Sequence, residues 1–112
     1  MDVYFVLDDH GDPLPIHDPE AWSQWQAQAD RSVARTIVAP DIVVLTTFSG
    51  HDAPPEGERP RLFVTDVFGG VFDGEELRHT TRAEALARHA SLVDWCRVGI
   101  SEDYGISGDQ IQ

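Results

Sequence analysis

The sequence predicts an α+β domain in which a mostly antiparallel sheet of four to five strands carries two helices on one face, in the order β-α-β-β-β-β-α. Two observations predict this class: short β-rich runs separated by tight turns, and two capped segments with helical periodicity. With 112 residues, 41% of them apolar, the chain is long enough to form one core without disulfides or metal. We expect a single domain over residues 1–98 and a tail over residues 99–112.

The first strand and the first helix open the chain. Val3–Leu7 is an apolar run followed by polar turn residues at 8–13, which is typical of a strand that ends in a turn. Asp18 is a good N-cap, and Pro19 suits the first helical position. The helix is predicted to continue to about residue 29 with one apolar stripe, formed by Trp22, Trp25 and Ala29.

Four further strands are predicted as two hairpins. Ala39-Pro40-Asp41 separates the first pair, and Gly69-Gly70 turns the second pair. The third of these strands has apolar residues on both faces, which predicts a central position in the sheet. The four segments are Val33–Val38, Ile42–Phe48, Arg61–Phe68 and Glu75–Thr80.

The second helix has the strongest start signal. Thr81-Arg82-Ala83-Glu84 forms a capping box, and Gly99 is predicted to end the helix. Trp95 is expected to point away from the sheet. The stripe predicted to be buried consists of Ala83, Leu86, Ala90 and Val93.

Negative charge dominates the composition. The net charge is −12, and residues 1–20 carry six acids with no arginine or lysine to oppose them. Such a field repels nucleic acid and anionic membranes and attracts basic partners, although ordinary solubility is the simpler explanation. We expect the acids from both ends of the chain to form one electronegative face. The predicted partner-binding residues are Asp8, Asp9, Asp12, Asp18, Glu20, Asp73, Glu75, Glu76, Glu102 and Asp103.

The sequence also indicates a cellular compartment. The first residues lack the basic and apolar regions of a signal peptide, and no apolar run approaches the length of a membrane-spanning helix. Cys96 is the only cysteine, so an internal disulfide is excluded. We therefore predict a cytoplasmic protein.

Four residues have the chemistry of metal ligands. They are His51, Asp52, His79 and His89. Their spacing matches no zinc-site motif, and a half-buried structural histidine is the commoner role on a helix such as the one that carries His89. We predict no metal or cofactor and keep a small metal-dependent or carboxylate-dependent enzyme as an alternative.

Other candidate reactive groups have structural explanations. Asp66 lies among apolar residues of a strand, where a carboxylate can have a raised pKa and act as an acid or base, but pairing with a cross-strand arginine such as Arg35 or Arg78 is the commoner and preferred explanation. A helix C-terminus does not lower the pKa of the Cys96 thiol. Gly69-Gly70 lacks the pattern of a phosphate-binding loop and is predicted to be a turn. No catalytic residue is predicted.

Short motifs in the middle of the chain carry a family resemblance. They are Asp30–Thr36, Thr46–Gly50, Leu62–Gly70, Arg78–Thr81, Glu84-Ala85 and His89. Over about residues 22–95 the chain resembles a family of small uncharacterised proteins encoded by phages and prophages. It is a divergent member, with Val64 where the family usually has Glu, His51-Asp52 in place of an Asp-His pair, and Arg88 in place of a Gly.

The resemblance implies a viral accessory gene, a context in which acidic proteins that block nucleic-acid-binding host machinery recur. Combined with the charge, it predicts a non-enzymatic protein that binds a basic surface of a host protein or complex, as an anti-defence inhibitor or DNA mimic. Direct binding to nucleic acid or membrane is not expected. The remaining alternative is a structural protein that self-associates, as a homodimer for instance, through an edge strand or through the indoles of Trp22, Trp25 and Trp95.

Overall fold

The computed structural model describes residues 1–104, and the side chains of residues 1–100. Within that range the chain forms seven strands and two helices, and every strand pair is antiparallel. The α+β class is therefore confirmed. In chain order the elements are β1 (Val3–Leu7), β2 (Pro13–Ile16), α1 (Pro19–Gln28), β3 (Ser32–Ala39), β4 (Ile42–Phe48), β5 (His51–Asp52), β6 (Phe63–Phe68), β7 (Glu76–His79) and α2 (Arg82–Tyr104).

The strands form two sheets where the sequence predicts one. β2, β1 and β5 make a three-stranded sheet, and β3, β4, β6 and β7 make a four-stranded sheet in that order. The prediction missed β2 and β5. β2 reads Pro-Leu-Pro-Ile, and two prolines indicate a turn, but β2 is an edge strand, where a missing N–H is tolerated. β5 has only two residues and exists through its pairing with β1.

Each helix packs on its own sheet, which corrects the expectation of two helices on one face. α1 contacts β1 and β2, whereas α2 contacts all four strands of the larger sheet. Asp18 caps α1 as predicted, because its Oδ1 accepts a hydrogen bond from the Glu20 amide at 3.0 Å. None of the helices in residues 1–104 is long and apolar enough to cross a membrane.

The face of α2 that meets the sheet differs from the predicted one. Ala83, Leu86 and Ala90 are exposed, and of the predicted stripe only Val93 is buried. Alanine contributes little apolar area, so its spacing did not determine the buried face. The buried side chains of α2 are Ala85, His89, Leu92, Val93 and Cys96.

The start of α2 follows the predicted capping chemistry, and its course past Gly99 differs from the prediction. Thr81 Oγ1 accepts from the Glu84 amide at 3.1 Å, as the capping box predicts, while Glu84 Oε1 accepts from the Thr80 amide at 2.9 Å. Gly99 does not end the helix, which continues to Tyr104. A Cβ at Gly99 would lie 2.6 Å from Val71 Cγ2, so glycine serves a close approach here. The predicted tail therefore begins inside α2, and residues 105–112 lie outside the described residues.

Two apolar clusters form the core. The first joins β4, β6 and α2 through Val44, Val67, Leu92 and Cys96. The second contains Phe48 and Phe63, whose rings lie edge to face at 5.3 Å, and Phe5 and Trp25 pack against it. Because Phe5 belongs to β1 and Trp25 to α1, this second cluster holds the two sheets together.

Gly69 brings two turns into contact. The β3–β4 turn and the β6–β7 turn lie at the same end of the sheet, because Val43 at the start of β4 pairs with Phe68 at the end of β6. Gly69 has φ of +87°, and a Cβ atom at this position would overlap the Asp41 carbonyl oxygen. Only a residue without a side chain fits.

We predict that Gly69→Ala destabilises the protein far more than Gly74→Ala. Gly74 has nearly the same φ, +88°, but no atom lies within 4 Å of the place that a Cβ would occupy, so it shares the backbone strain without the clash. We expect Gly74→Ala to lower the free energy of unfolding by about 1 kcal/mol and Gly69→Ala by about 3 kcal/mol or more. Urea denaturation measures both, and equal losses would contradict the packing of Gly69 against Asp41.

Candidate binding surface

The β1–β2 loop presents three of the predicted partner-binding acids. Asp8, Asp9 and Asp12 lie in this loop, which adjoins the start of α2 because Arg82 Nη2 donates to the Gly11 carbonyl at 2.8 Å. Asp8 Oδ1 accepts from the amides of His10 and Asp12 at 2.8 and 2.9 Å. The hydrogen bond from the Asp12 amide is the largest cause that lowers the pKa of Asp8. Asp8 therefore organises the loop as well as carrying charge.

Asp18 and Glu20 lie at the start of α1, at the other end of β2 from the loop acids. The carboxylate of Asp18 is occupied by the cap, and Glu20 is exposed in the first helical turn. Both stabilise α1 through its positive N-terminal end. The contact of Asp18 thus establishes its local role as a cap, independently of any partner.

A second group of acids lies at the far end of the four-stranded sheet. Asp73, Glu75 and Glu76 come from the β6–β7 turn and the start of β7, and Asp41 comes from the adjoining β3–β4 turn. Asp73 Oδ1 accepts from the Gly69 amide at 2.6 Å, and Glu76 lies 3.8 Å from Arg78. Asp41 and Glu75 are exposed. The sequence prediction missed Asp41, although the antiparallel order of β4 and β6 places the two turns together.

The last turn of α2 ends in the same region. Gly99 packs on Val71 of the β6–β7 turn, and Glu102 and Asp103 follow within about one helical turn. Only the helical backbone of these two acids is described. We call this region, formed by Asp41, Asp73, Glu75, Glu76 and the end of α2, the acidic end.

Apolar side chains are exposed at the acidic end. Val71 is 62% exposed, Trp95 48% and Val98 54%. Trp95 is thus directed away from the core as predicted, and its ring lies 6.3 Å from that of Phe72. Beside these residues, a cavity of about 140 Å³ opens between the two turns and α2, lined in part by Ile42, Val71 and Ile100.

The acids from the two ends of the chain do not form the single face that the charge distribution predicts. The β1–β2 loop adjoins the start of α2 and the acidic end adjoins its last turns, which leaves about 25 Å of helix between them. The physical reason is that α2 runs the length of the larger sheet. Asp73, Glu75 and Glu76 are brought together, and the backbone of Glu102 and Asp103 follows in the same region, whereas Asp8, Asp9, Asp12, Asp18 and Glu20 lie elsewhere.

The four candidate metal ligands are also separated. His51 Nε2 lies 3.0 Å from Asp2 Oδ1, and its ring stacks on Tyr4 at 4.8 Å. Asp52 accepts from the Arg61 amide at 2.8 Å. Among the described residues no group of three His, Cys, Asp or Glu side chains could hold a metal ion. A metal site built from His51, Asp52, His79 and His89 is therefore not formed.

His79 and His89 belong instead to a buried chain of hydrogen bonds between α2 and the sheet. His89 lies 2.8 Å from Thr36 Oγ1 through Nε2 and 2.9 Å from Thr46 Oγ1 through Nδ1. Thr46 Oγ1 is 2.7 Å from Thr65 Oγ1, which is 3.0 Å from His79 Nε2. Burial lowers the pKa of both histidines, so both are neutral at pH 7. No local sequence signal marks these hydrogen bonds, because their members come from four strands and a helix.

The surroundings of Asp66 and Cys96 raise the pKa of both side chains. Burial raises the pKa of Asp66, and the neighbouring Glu76 raises it further. The nearby charge of Arg78 acts in the opposite direction, but no ion pair joins Asp66 to an arginine in the described part of the chain. Burial raises the pKa of the Cys96 thiol, which disfavours a reactive thiolate.

No protein-family model, curated protein or solved structure matches this chain.

We predict that Thr46→Val destabilises the protein, because the change leaves the Nδ1 atom of His89 and the hydroxyl of Thr65 without their shared partner. The expected loss in the free energy of unfolding is about 1–3 kcal/mol. Thr47→Val is the matched control, since Thr47 lies next in β4 on the opposite face of the sheet; we expect a change within about 0.5 kcal/mol. Similar losses in urea denaturation for both variants would argue against the buried hydrogen bonds.

We also predict that stability falls as the pH drops below about 6.5, the ordinary pKa of histidine. The folded-state pKa values of His79 and His89 are lowered, so the unfolded chain binds more protons in this range. The contribution of each neutral histidine to the free energy of unfolding is complete above pH ~6.5. It is lost as the pH falls towards the lowered folded-state pKa, at up to ~1.4 kcal/mol per pH unit for each histidine.

The measurement is urea denaturation from about pH 7 to about pH 5, above the range in which ordinary carboxylates titrate. The raised pKa of Asp66 acts in the opposite direction and is common to all the variants compared. His89→Gln should reduce the slope of stability against pH. A variant in which the exposed His10 and His17 are both changed to Gln should keep it. A free energy of unfolding that does not change with pH in the unaltered protein would contradict the lowered pKa values of the two buried histidines.

Proposed function

We propose that this chain is a non-enzymatic, acidic, phage-type accessory protein that binds a basic, nucleic-acid-binding surface of a host protein or complex. The observation that carries the proposal is the coincidence, at the acidic end, of clustered carboxylates with the exposed side chains of Val71, Trp95 and Val98. Solubility alone explains the charge but gives no reason to expose apolar side chains beside it.

The acidic end has the composition expected of a surface for a basic partner. Carboxylates from two turns and a helix end attract arginine and lysine side chains and accelerate their approach. The indole of Trp95 and the neighbouring Val98 offer apolar area that leaves water on binding, and tryptophan is enriched among residues that dominate binding energy. The arrangement supports a contact that combines charge with an apolar centre.

The carboxylates of the acidic end do not follow one line. Duplex DNA carries a charge every ~1.7 Å along its axis, whereas these acids come from separate elements. The geometry therefore favours occupation of a basic pocket over imitation of a long stretch of duplex. With the resemblance to a phage family, this supports an inhibitor of a host defence complex in the bacterial cytoplasm.

We predict that neutralising the acidic end abolishes capture of basic proteins from a bacterial lysate. The variant combines Asp41→Asn, Glu75→Gln and Glu102→Gln, and its matched control combines Asp9→Asn, Asp12→Asn and Glu20→Gln at the other sites. Both remove three negative charges. If the acidic end is the binding surface, the first variant loses the captured proteins and the control retains most of them, as quantified by mass spectrometry at low salt.

Two further arms test the proposal. High salt should release the captured proteins, because screening weakens charge attraction, and added duplex DNA should compete if the captured surface binds nucleic acid. Trp95→Ala should weaken capture without changing the net charge. Equal loss in both charge variants would indicate a general effect of net charge, and capture that resists high salt would contradict the proposal.

A further inference from the structure

The four-stranded sheet has one covered face and one bare face. Its inner face meets α2 through Val44, Thr46 and Val67. The alternate residues point the other way, and no helix or strand of the described chain packs on them. This outer face is formed by Arg35, Ile37, Val43, Leu45, Thr47, Val64, Asp66, Phe68, Glu76 and Arg78. Val64 is only 6% exposed, so the open part of this face consists of the two rows that contain Ile37 and Arg35.

One row of the outer face is apolar. Ile37, Val43 and Phe68 are cross-strand neighbours on β3, β4 and β6. Ile37 is 57% exposed and Phe68 51%. An antiparallel sheet with one solvated face normally carries polar residues there. This row therefore has the character of a surface that becomes covered.

The next row is ordered by charge. Arg35, Leu45, Asp66 and Glu76 are paired in sequence across β3, β4, β6 and β7. The row begins with a cation at one edge of the sheet and ends with two carboxylates at the other, about 14 Å away. Asp66 and Glu76 have only Arg78 near them, and Arg35 makes no ion pair within the described residues.

We infer that the outer face binds the outer face of a second copy of this chain, about a two-fold axis that runs parallel to β4 and β6 and between them. This rotation reverses the order of each row, so Arg35 of one copy faces Glu76 of the other, and the pair forms twice. Val43 faces Phe68 in the same way. The two ends of the row are thus complementary in charge, while Asp66 of each copy faces Leu45 of the other at the middle positions.

The alternative two-fold axis, perpendicular to the strands, is disfavoured. When it runs along the charged row, it leaves each strand opposite its own copy and places Arg35 against Arg35, and Glu76 against Glu76. Like charges at such short range repel and suppress this arrangement. The charge row therefore selects the first axis, in which the strands of the two sheets lie nearly aligned, as in ordinary sheet packing.

The size of the face sets the expected strength of the dimer. Four strands of about six residues give a face of about 20 Å by 20 Å, so a dimer would cover about 800 Å² in total, below the ~1,200 Å² at which specific stable interfaces begin. The net charge of −12 on each copy also opposes association. We therefore expect a weak dimer, seen in sedimentation equilibrium as a rise in average mass with protein concentration.

A charge exchange tests the pairing of Arg35 with Glu76. Arg35→Glu and Glu76→Arg each place like charges opposite one another, and each should weaken dimerisation at least ten-fold. The double variant R35E/E76R restores the pair with the charges exchanged and leaves the net charge unchanged, so it should recover the dimer. Arg88→Glu, an exposed site on α2, is the control for a single charge reversal and should keep the dimer. Circular dichroism confirms the fold of each variant.

Three outcomes would overturn the inference. They are a monomer at every concentration, a dimer that tolerates both single reversals, and a double variant that stays monomeric. A monomer whose outer face binds a different protein belongs to the first outcome. Glu76 also belongs to the acidic end, so Arg35→Glu, which leaves every residue of the acidic end unchanged, distinguishes a failure of this inference from a failure of the proposed function.

Discussion

The docking of α2 on the inner face of the four-stranded sheet is the contact on which the rest of the structure depends. A purely apolar interface would let a helix slide or rotate, since burial of apolar area has no direction. The hydrogen bonds of His89 to Thr36 and Thr46 require one rotation and one position of α2, because any other leaves buried polar atoms unpaired. These bonds link the helix to β3 and β4 directly, and the contact of Thr46 with Thr65 extends the link to β6.

The position of α2 determines which surfaces remain for partners. With the helix along one face, the opposite face of the sheet is bare and displays its rows of apolar and charged side chains. Since α2 runs the length of the sheet, it separates the acids of the β1–β2 loop from those of the acidic end. The molecule thus has two candidate surfaces that share Glu76, and each has its own chemistry: carboxylates around apolar side chains at the acidic end, and a row with opposite charges at its two ends on the outer face.

Patterns among neighbouring residues predicted most of the helices and strands. They failed where contacts between distant parts of the chain determine the structure. The cap at Asp18, the hairpin at residues 39–41, the central position of β6 and the capping box at Thr81 each follow from a few neighbouring residues, and all are present. The prediction of the buried face of α2 was wrong because His89 lies at the centre of that face. The hydrogen-bond partners of His89 come from strands that are distant in sequence. The candidate acids were chosen by composition, which has no information on where each turn lies in space.

The contact of Gly69 with the β3–β4 turn has a consequence for recognition. Because the backbone of one turn rests on the backbone of the other, the backbone of Asp41 and the carboxylate of Asp73 are held in one preorganised frame and not in two independent loops. A partner that binds a rigid frame loses less conformational entropy than one that must first order its target. Gly69 thereby lowers the entropic cost of association for the charged residues around it.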